Sequence, residues 1–125
     1  MELDDITGQI VDAAVGIHSG LGPGLLESVY EMILVAKLQR RGLRADRQRA
    51  ITFPYDGMVF ENGFRVDLVV EDRVLVEVKS VERHAAVHPK QLLTYLRLMD
   101  LRVGLLLNFG FPLMRDGIER VVNDL

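Results

Sequence analysis

Apolar residues along the chain recur with two different periods, and the change of period divides it. Ile6, Ile10, Ala13, Ala14 and Ile17 follow the three- and four-residue spacing of one helix face, which predicts a first helix over Asp4 to His18. Gly20-Leu21-Gly22-Pro23-Gly24 stops it, since glycine and proline both favour a turn. A second helix is predicted from about Leu25 to Arg41, burying Leu26, Val29, Tyr30, Ile33, Leu34 and Leu38, with Gly42 where a C-terminal glycine belongs. From Ala50 the period becomes that of strands: Ala50 to Tyr55, a tight turn at Asp56-Gly57, Met58 to Glu61, Gly63 to Val70, and Val74 to Lys79. Pro89 suits the first turn of a helix running to Met99, with Leu92, Leu93, Leu96 and Met99 inward. Val103 to Leu107 is an unbroken apolar run, as in a strand covered on both faces, and Ile118 to Val122 reads as a last short strand. The order helix, helix, four strands, helix, strand, strand predicts a single α/β or α+β domain, residues 1–125, around one mixed sheet.

The hairpin at 63–79 carries the most information. Phe64, Val66, Leu68 and Val70 are expected on one face, joined across the pair by Val74, Val76 and Val78. A shared face requires an odd number of loop residues, and the three residues Glu71 to Arg73 pair Val70 with Val74. Counting back sets Asp67 opposite Glu77 and Arg65 opposite Lys79. Directly paired Cβ atoms lie about 4.5–5.5 Å apart. Two carboxylates that close repel unless a proton or a cation lies between them. Mg²⁺ or Mn²⁺ answers that need, because hard cations take carboxylate, water and phosphate oxygens. Lys79, on the same face as Glu77, could orient a water or stabilise charge developing on a phosphate. A simple ion network on an exposed sheet face accounts for the same four residues.

Composition narrows the setting. The chain has 125 residues, 49% hydrophobic and 26% charged, with net charge −3 and no cysteine. That apolar content can build a core, and the lack of cysteine removes disulfides, thiolate metal sites and cysteine nucleophiles. No window holds the roughly 18 apolar residues of a membrane span, and the acidic start Met-Glu-Leu-Asp-Asp is unlike a signal peptide, so a cytoplasmic protein is expected. Mild acidity argues against a protein that coats nucleic acid. Yet Arg40, Arg41, Arg44, Arg47 and Arg49 crowd one segment with Lys37 and a single acid, Asp46. They form either a solvated helix end and loop or a patch facing phosphates.

Two further groups bear on chemistry. His88, Gln91 and Tyr95 make a polar stripe at i, i+3, i+7, beside an apolar stripe on the same helix. Glu27 stands in the first turn of the second helix, where it suits the helix dipole or could serve as a third acidic ligand.

Gly24 to Tyr30 reads G-x-x-E-x-x-Y, and with HSGLGPGLLESVYE, DLVVEDRVLVEVKSV, VHPKQLLTYLRLMDLRVGLLLNFG and DGIERVVN the chain resembles the GxxExxY protein family from Ile6 to Asn123. That prokaryotic family is grouped with the PD-(D/E)XK nuclease superfamily. The resemblance implies a restriction-endonuclease-like core and a nuclease that uses Mg²⁺ or Mn²⁺ on nucleic acid, DNA before RNA. Asp67 matches the motif aspartate, Glu77 the second acid and Lys79 the lysine, with Val66 where the name-giving proline would stand. Asp67, Glu77 and the carbonyl of Val78 would then hold the metal, with Glu27 assisting. Gln91 and Tyr95, which resemble a Q-x-x-x-Y helix, and His88 would position phosphate or Lys79. The alternative is a catalytically silent module of the same fold that binds nucleic acid or a partner protein. A homodimer or a protein partner suits so small a domain, and no membrane partner is expected.

Overall fold

Helix α1 (Leu3–Leu21) turns Ile6, Ile10, Ala13, Ala14 and Ile17 into the protein, so its apolar stripe does what its spacing predicts. The computed structural model describes residues 1–124. After α1 come α2 (Glu27–Arg40), β1 (Ala45–Tyr55), β2 (Met58–Val70), β3 (Val74–Lys79), α3 (Val87–Met99), β4 (Val103–Asn108), a 3₁₀ turn (Met114–Gly117) and β5 (Ile118–Val122). The five strands form one mixed sheet in chain order, antiparallel throughout except for the parallel pair β3–β4, which α3 connects. The result is a mixed α/β single domain.

Two cores lie on the two faces of this sheet. On one, α1 and α2 cover Leu68, Val70, Val74, Val76, Val78, Leu105 and Leu107. On the other, α3 lays Leu92 and Leu96 over Val66, Val69, Leu75, Leu106 and Val121. The buried run of β4 follows from cover on both sides.

Several expectations are corrected. The strands expected at Met58–Glu61 and Gly63–Val70 are one strand, bent at Asn62, where a register shift takes up the turn-like residue. The segment expected as helix end and loop is partly strand, since β1 begins at Ala45 and carries Arg47 and Arg49. On α2 the inward face is rotated: Tyr30, Glu31, Leu34, Val35 and Leu38 are buried, whereas Leu26 is 73% exposed and Val29 is also exposed. The helix is apolar nearly all round, so periodicity alone could not select the face.

The hairpin departs from simple alternation in an informative way. Val70 pairs with Val74 as parity requires, followed by Val69 with Leu75 and Leu68 with Val76, and there the β2–β3 ladder stops. Arg65 instead lies opposite Ala50 of β1, and Lys79 opposite Asn108 of β4. Phe64 and Val66 pack on the α3 side while Leu68 and Val70 pack on the α1–α2 side. The same inversion occurs on β1, where Ala45 joins one core and Ile51 the other. Between them stand Gln48, in a left-handed conformation at φ 50°, and Asp67 across from it in the register. In β1 one residue out of extended geometry, Gln48, is enough to reverse which face all later side chains occupy.

The end of β3 is pinned to the end of β4. The N–H of Phe109 donates to the carbonyl of Lys79 at 2.8 Å, and Asn108 Oδ1 accepts from the N–H groups of Val81 and Gly110 at 3.1 and 2.9 Å. A Cβ on Gly110 would collide with the Val81 backbone, so only glycine allows this approach. Gly110→Ala should lower stability by about 1–3 kcal/mol, as overpacking does, read as an earlier urea midpoint; an unchanged midpoint would mean that the two segments are free to separate.

Candidate functional site

Where β2 leaves β3, the N–H of Val78 loses its strand partner. Asp67 supplies one: its Oδ2 accepts that N–H at 2.9 Å, while Oδ1 accepts from Gln48 Nε2 at 3.2 Å. The aspartate is thereby held by a donor on each oxygen, at the fork where β2 parts from β3 and next to Glu77.

Glu77 lies on the α3 side of β3 and is only 6% exposed. Its pKa is pushed up to about 9, first by burial, then by the hydrogen bond and charge of Asp67, against a weaker opposing pull from Lys79. One oxygen, Oε1, is buried with no hydrogen-bond partner. Tyr95 approaches from α3: burial raises its phenol pKa, the charges of Glu77 and Asp67 raise it further, and a hydrogen bond with Gln91 works the other way. Its ring stacks on Phe64 at 4.3 Å between centroids. Asp67, Glu77, Lys79, Gln91 and Tyr95 thus share one locality, drawn from β2, β3 and α3. His88 lies on the same helix stripe, one turn before Gln91, and forms no side-chain hydrogen bond among the described residues.

Glu27 has a hydrogen-bond partner within the chain. Its Oε2 accepts the N–H of Ser80 at 3.2 Å, and Ser80 Oγ donates to the carbonyl of Leu25 at 2.6 Å. Tyr30 ties the same loop: its hydroxyl donates to the carbonyl of Gly22 at 2.6 Å and accepts from the N–H of Leu25 at 3.1 Å. Its ring stacks on Phe109 at 4.3 Å. Gly24, at φ 103°, allows the turn that brings this loop to the strand end. Gly24, Glu27 and Tyr30 therefore fasten the loop before α2 to the residue that follows Lys79.

The arginines expected as a phosphate patch are largely engaged within the protein. Arg41 pairs with Asp12 at 2.8 Å, Arg44 with Asp72 at 3.1 Å, Arg47 with Glu31 at 3.0 Å and Arg49 with Asp72 at 2.8 Å. The hydrogen bond from Arg49 holds the Asp72 carboxyl below its ordinary range against desolvation, with the charges of Arg44 and Arg49 adding to it. Arg40 alone of the five has no ion pair among the described residues.

Sequence reading missed Glu31 and Gln48. Glu31 is 3% exposed on α2 and accepts from Arg47 Nε and Gln48 Nε2, at 3.0 and 2.8 Å. An acid among apolar neighbours looks solvated in a sequence; the one available signal was its place four residues after Glu27.

The donor set suits a hard divalent cation. Two adjacent carboxylates, one with an unpartnered buried oxygen, are left with a deficit that such an ion meets. Among the described residues no cluster of three or more His, Asp or Glu could hold an ion. Two carboxylates would therefore need carbonyl, water or phosphate oxygens to complete the shell.

A family model described as the PD-(D/E)XK nuclease superfamily matches residues 4–121. Among solved structures, the crystal structure of SSO0001 is similar in fold, with a TM-score of 0.55 at 17% identity over 98% of this chain. The chain spans 60% of the length of that protein. No curated protein matches it.

The protonation of Glu77 makes stability depend on pH. Between its ordinary value of 4.5 and about 9, the unfolded chain has lost a proton that the folded chain retains. Stability linked to this group is whole below 4.5 and drains away as pH rises to about 9, by at most about 1.4 kcal/mol per pH unit. In metal-free protein, Glu77→Gln should therefore gain Tm over the wild type progressively across that window. A difference in Tm that is constant with pH would show that Glu77 ionises normally.

Proposed function

The chain belongs to the PD-(D/E)XK nuclease superfamily, and from that membership we propose that it is a Mg²⁺- or Mn²⁺-dependent phosphodiesterase acting on nucleic acid, DNA in preference to RNA. Within the superfamily it resembles the GxxExxY group. The observation that carries the reading is the Asp67–Glu77 pair beside Lys79, in which Glu77 is buried and one of its oxygens is unpartnered.

Asp67, Glu77 and the carbonyl of Val78 would hold the ion, with Glu27 acting from one layer further out through Ser80. When bound, the divalent ion would polarise the scissile phosphate and lower the pKa of the attacking water. Lys79 contributes its positive charge beside Glu77, where it can hold that water or offset charge gathering on the phosphate oxygens. Its reach is limited by the clamps on either side, the Lys79 carbonyl bonded to Phe109 and Ser80 bonded to Glu27. The phenol of Tyr95, kept protonated, can donate to a phosphate oxygen, and Gln91 orients it. Of the five arginines, Arg40 has no ion pair among the described residues and is open to the backbone, and Arg41, Arg44 and Arg49 can contribute by exchanging an exposed acid for a phosphate.

One observation favours a second reading, a silent nucleic-acid-binding or protein-binding module: no third carboxylate joins the pair among the described residues. A chelator separates the two, since a module keeps its affinity in EDTA and a nuclease loses turnover. Asp67→Ala and Lys79→Ala should each reduce Mn²⁺-dependent cleavage of plasmid and oligonucleotide DNA by at least about 100-fold, the scale of losing one preorganised electrostatic group. Full cleavage by either variant would end the proposed mechanism.

A further inference from the structure

Gln48 is an unusual residue in an unusual place. It sits inside β1 with φ 50°, a conformation that costs a non-glycine side chain about 1–3 kcal/mol and persists only where its surroundings hold it. It is neither glycine nor asparagine, the residues that adopt this backbone most easily. Its amide explains why. The single Nε2 group has two hydrogens and faces two carboxylates, Glu31 Oε1 at 2.8 Å and Asp67 Oδ1 at 3.2 Å.

Glu31 is the fixed end of this chain of contacts. At 3% exposure it is a nearly buried acid, which is tolerated only with compensation. Arg47 Nε provides that at 3.0 Å, and Gln48 provides the second donor. Helix α2 thus reaches through Glu31 to the residue that faces Asp67, while β3 reaches the other Asp67 oxygen through the Val78 N–H. Each carboxylate oxygen has two lone pairs, so one on each remains for another partner. A ligating carboxylate is generally oriented by such outer hydrogen bonds, and losing one costs about 10–100-fold in metal affinity.

We infer that Gln48, anchored by Glu31, is a positioning residue that sets the Asp67 carboxylate for the divalent ion. The inference rests on the proposed metal-dependent reading. The backbone strain at Gln48 then follows from what its side chain must reach. The left-handed turn aims its amide at both acids, and it reverses the faces of β1 across from Asp67.

Calorimetric titration of Mn²⁺ into the full-length protein, without nucleic acid, tests it, paired with thermal unfolding of the metal-free samples. Gln48→Met keeps the length of the side chain and deletes its donors, and Gln48→Gly deletes the amide while relieving the backbone. Both should bind Mn²⁺ about 10–100-fold more weakly than the wild type, with the Tm of Gln48→Gly no lower. Glu31→Gln, which retains an acceptor oxygen but not the charge, should fall between. Wild-type affinity in both Gln48 variants overturns the inference while leaving the metal site standing. So does a loss of affinity that only follows a loss of folded protein. Absence of Mn²⁺ binding in the wild type overturns the metal-dependent reading itself, and the inference with it.

Discussion

Two carboxylates in contact, one of them buried, resist being ionised together without a counter-charge, and the arrangement around Asp67 and Glu77 follows from that. The antiparallel ladder between β2 and β3 ends at Leu68 and Val76, which frees the Val78 N–H for Asp67. Glu77, under α3, is too dry to ionise at its ordinary value. A proton on Glu77 settles the conflict when nothing else is bound. A divalent ion would settle it with both acids charged, which makes the pair a reservoir of binding energy rather than a source of stability. A buried charge constellation that weakens the fold is expected where function, not folding, has shaped the site.

The local frame then has to be stiff, because the pair gains nothing from a cation if either carboxylate can swing away. Glu77 is fixed by burial on a strand paired with β4 along its length. Asp67 sits where the ladder has parted and receives a donor on each oxygen instead. Lys79 is framed by Asn108, Phe109 and Ser80, and Ser80 is in turn tied to the loop before α2. The G-x-x-E-x-x-Y pattern reads physically as this tie. Gly24 makes the turn, Glu27 takes the Ser80 N–H, and Tyr30 bolts the loop to its own helix and to Phe109. Its three marked residues all bear on the position of Lys79.

Parity and periodicity made much of this visible in the sequence. The spacing of Ile6 to Ile17 marked α1, Asp56-Gly57 marked its hairpin turn, and the three-residue loop at 71–73 correctly paired Val70 with Val74. Those features depend on local geometry, which a sequence records. Three others do not. Glutamine carries no local preference for φ 50°, so nothing at Gln48 announced that Phe64 and Val66 would change faces relative to Leu68. Glu31 is buried because Arg47 and Gln48 come to it from a strand 16 and 17 residues away. The face of α2 was ambiguous because apolar residues surround the helix, and contacts with α1 and the sheet select it. Each miss depends on a tertiary partner.

The charge pattern requires the same long-range view. The run of arginines from 40 to 49 looks like a basic patch until Asp12, Glu31 and Asp72 arrive from elsewhere in the chain. Of these pairs only Arg47–Glu31 has a buried partner, and it serves the Asp67 network. The others are exposed, and an exposed pair contributes only about 0–1 kcal/mol. Exchanging Asp72 for a phosphate at Arg44 and Arg49 therefore costs little, whereas drawing Arg47 away from Glu31 would strand a buried acid. The five arginines are consequently not equivalent. Arg40 is open among the described residues, Arg41, Arg44 and Arg49 are available by exchange, and Arg47 is committed to the interior, although a sequence displays all five as one run of positive charge.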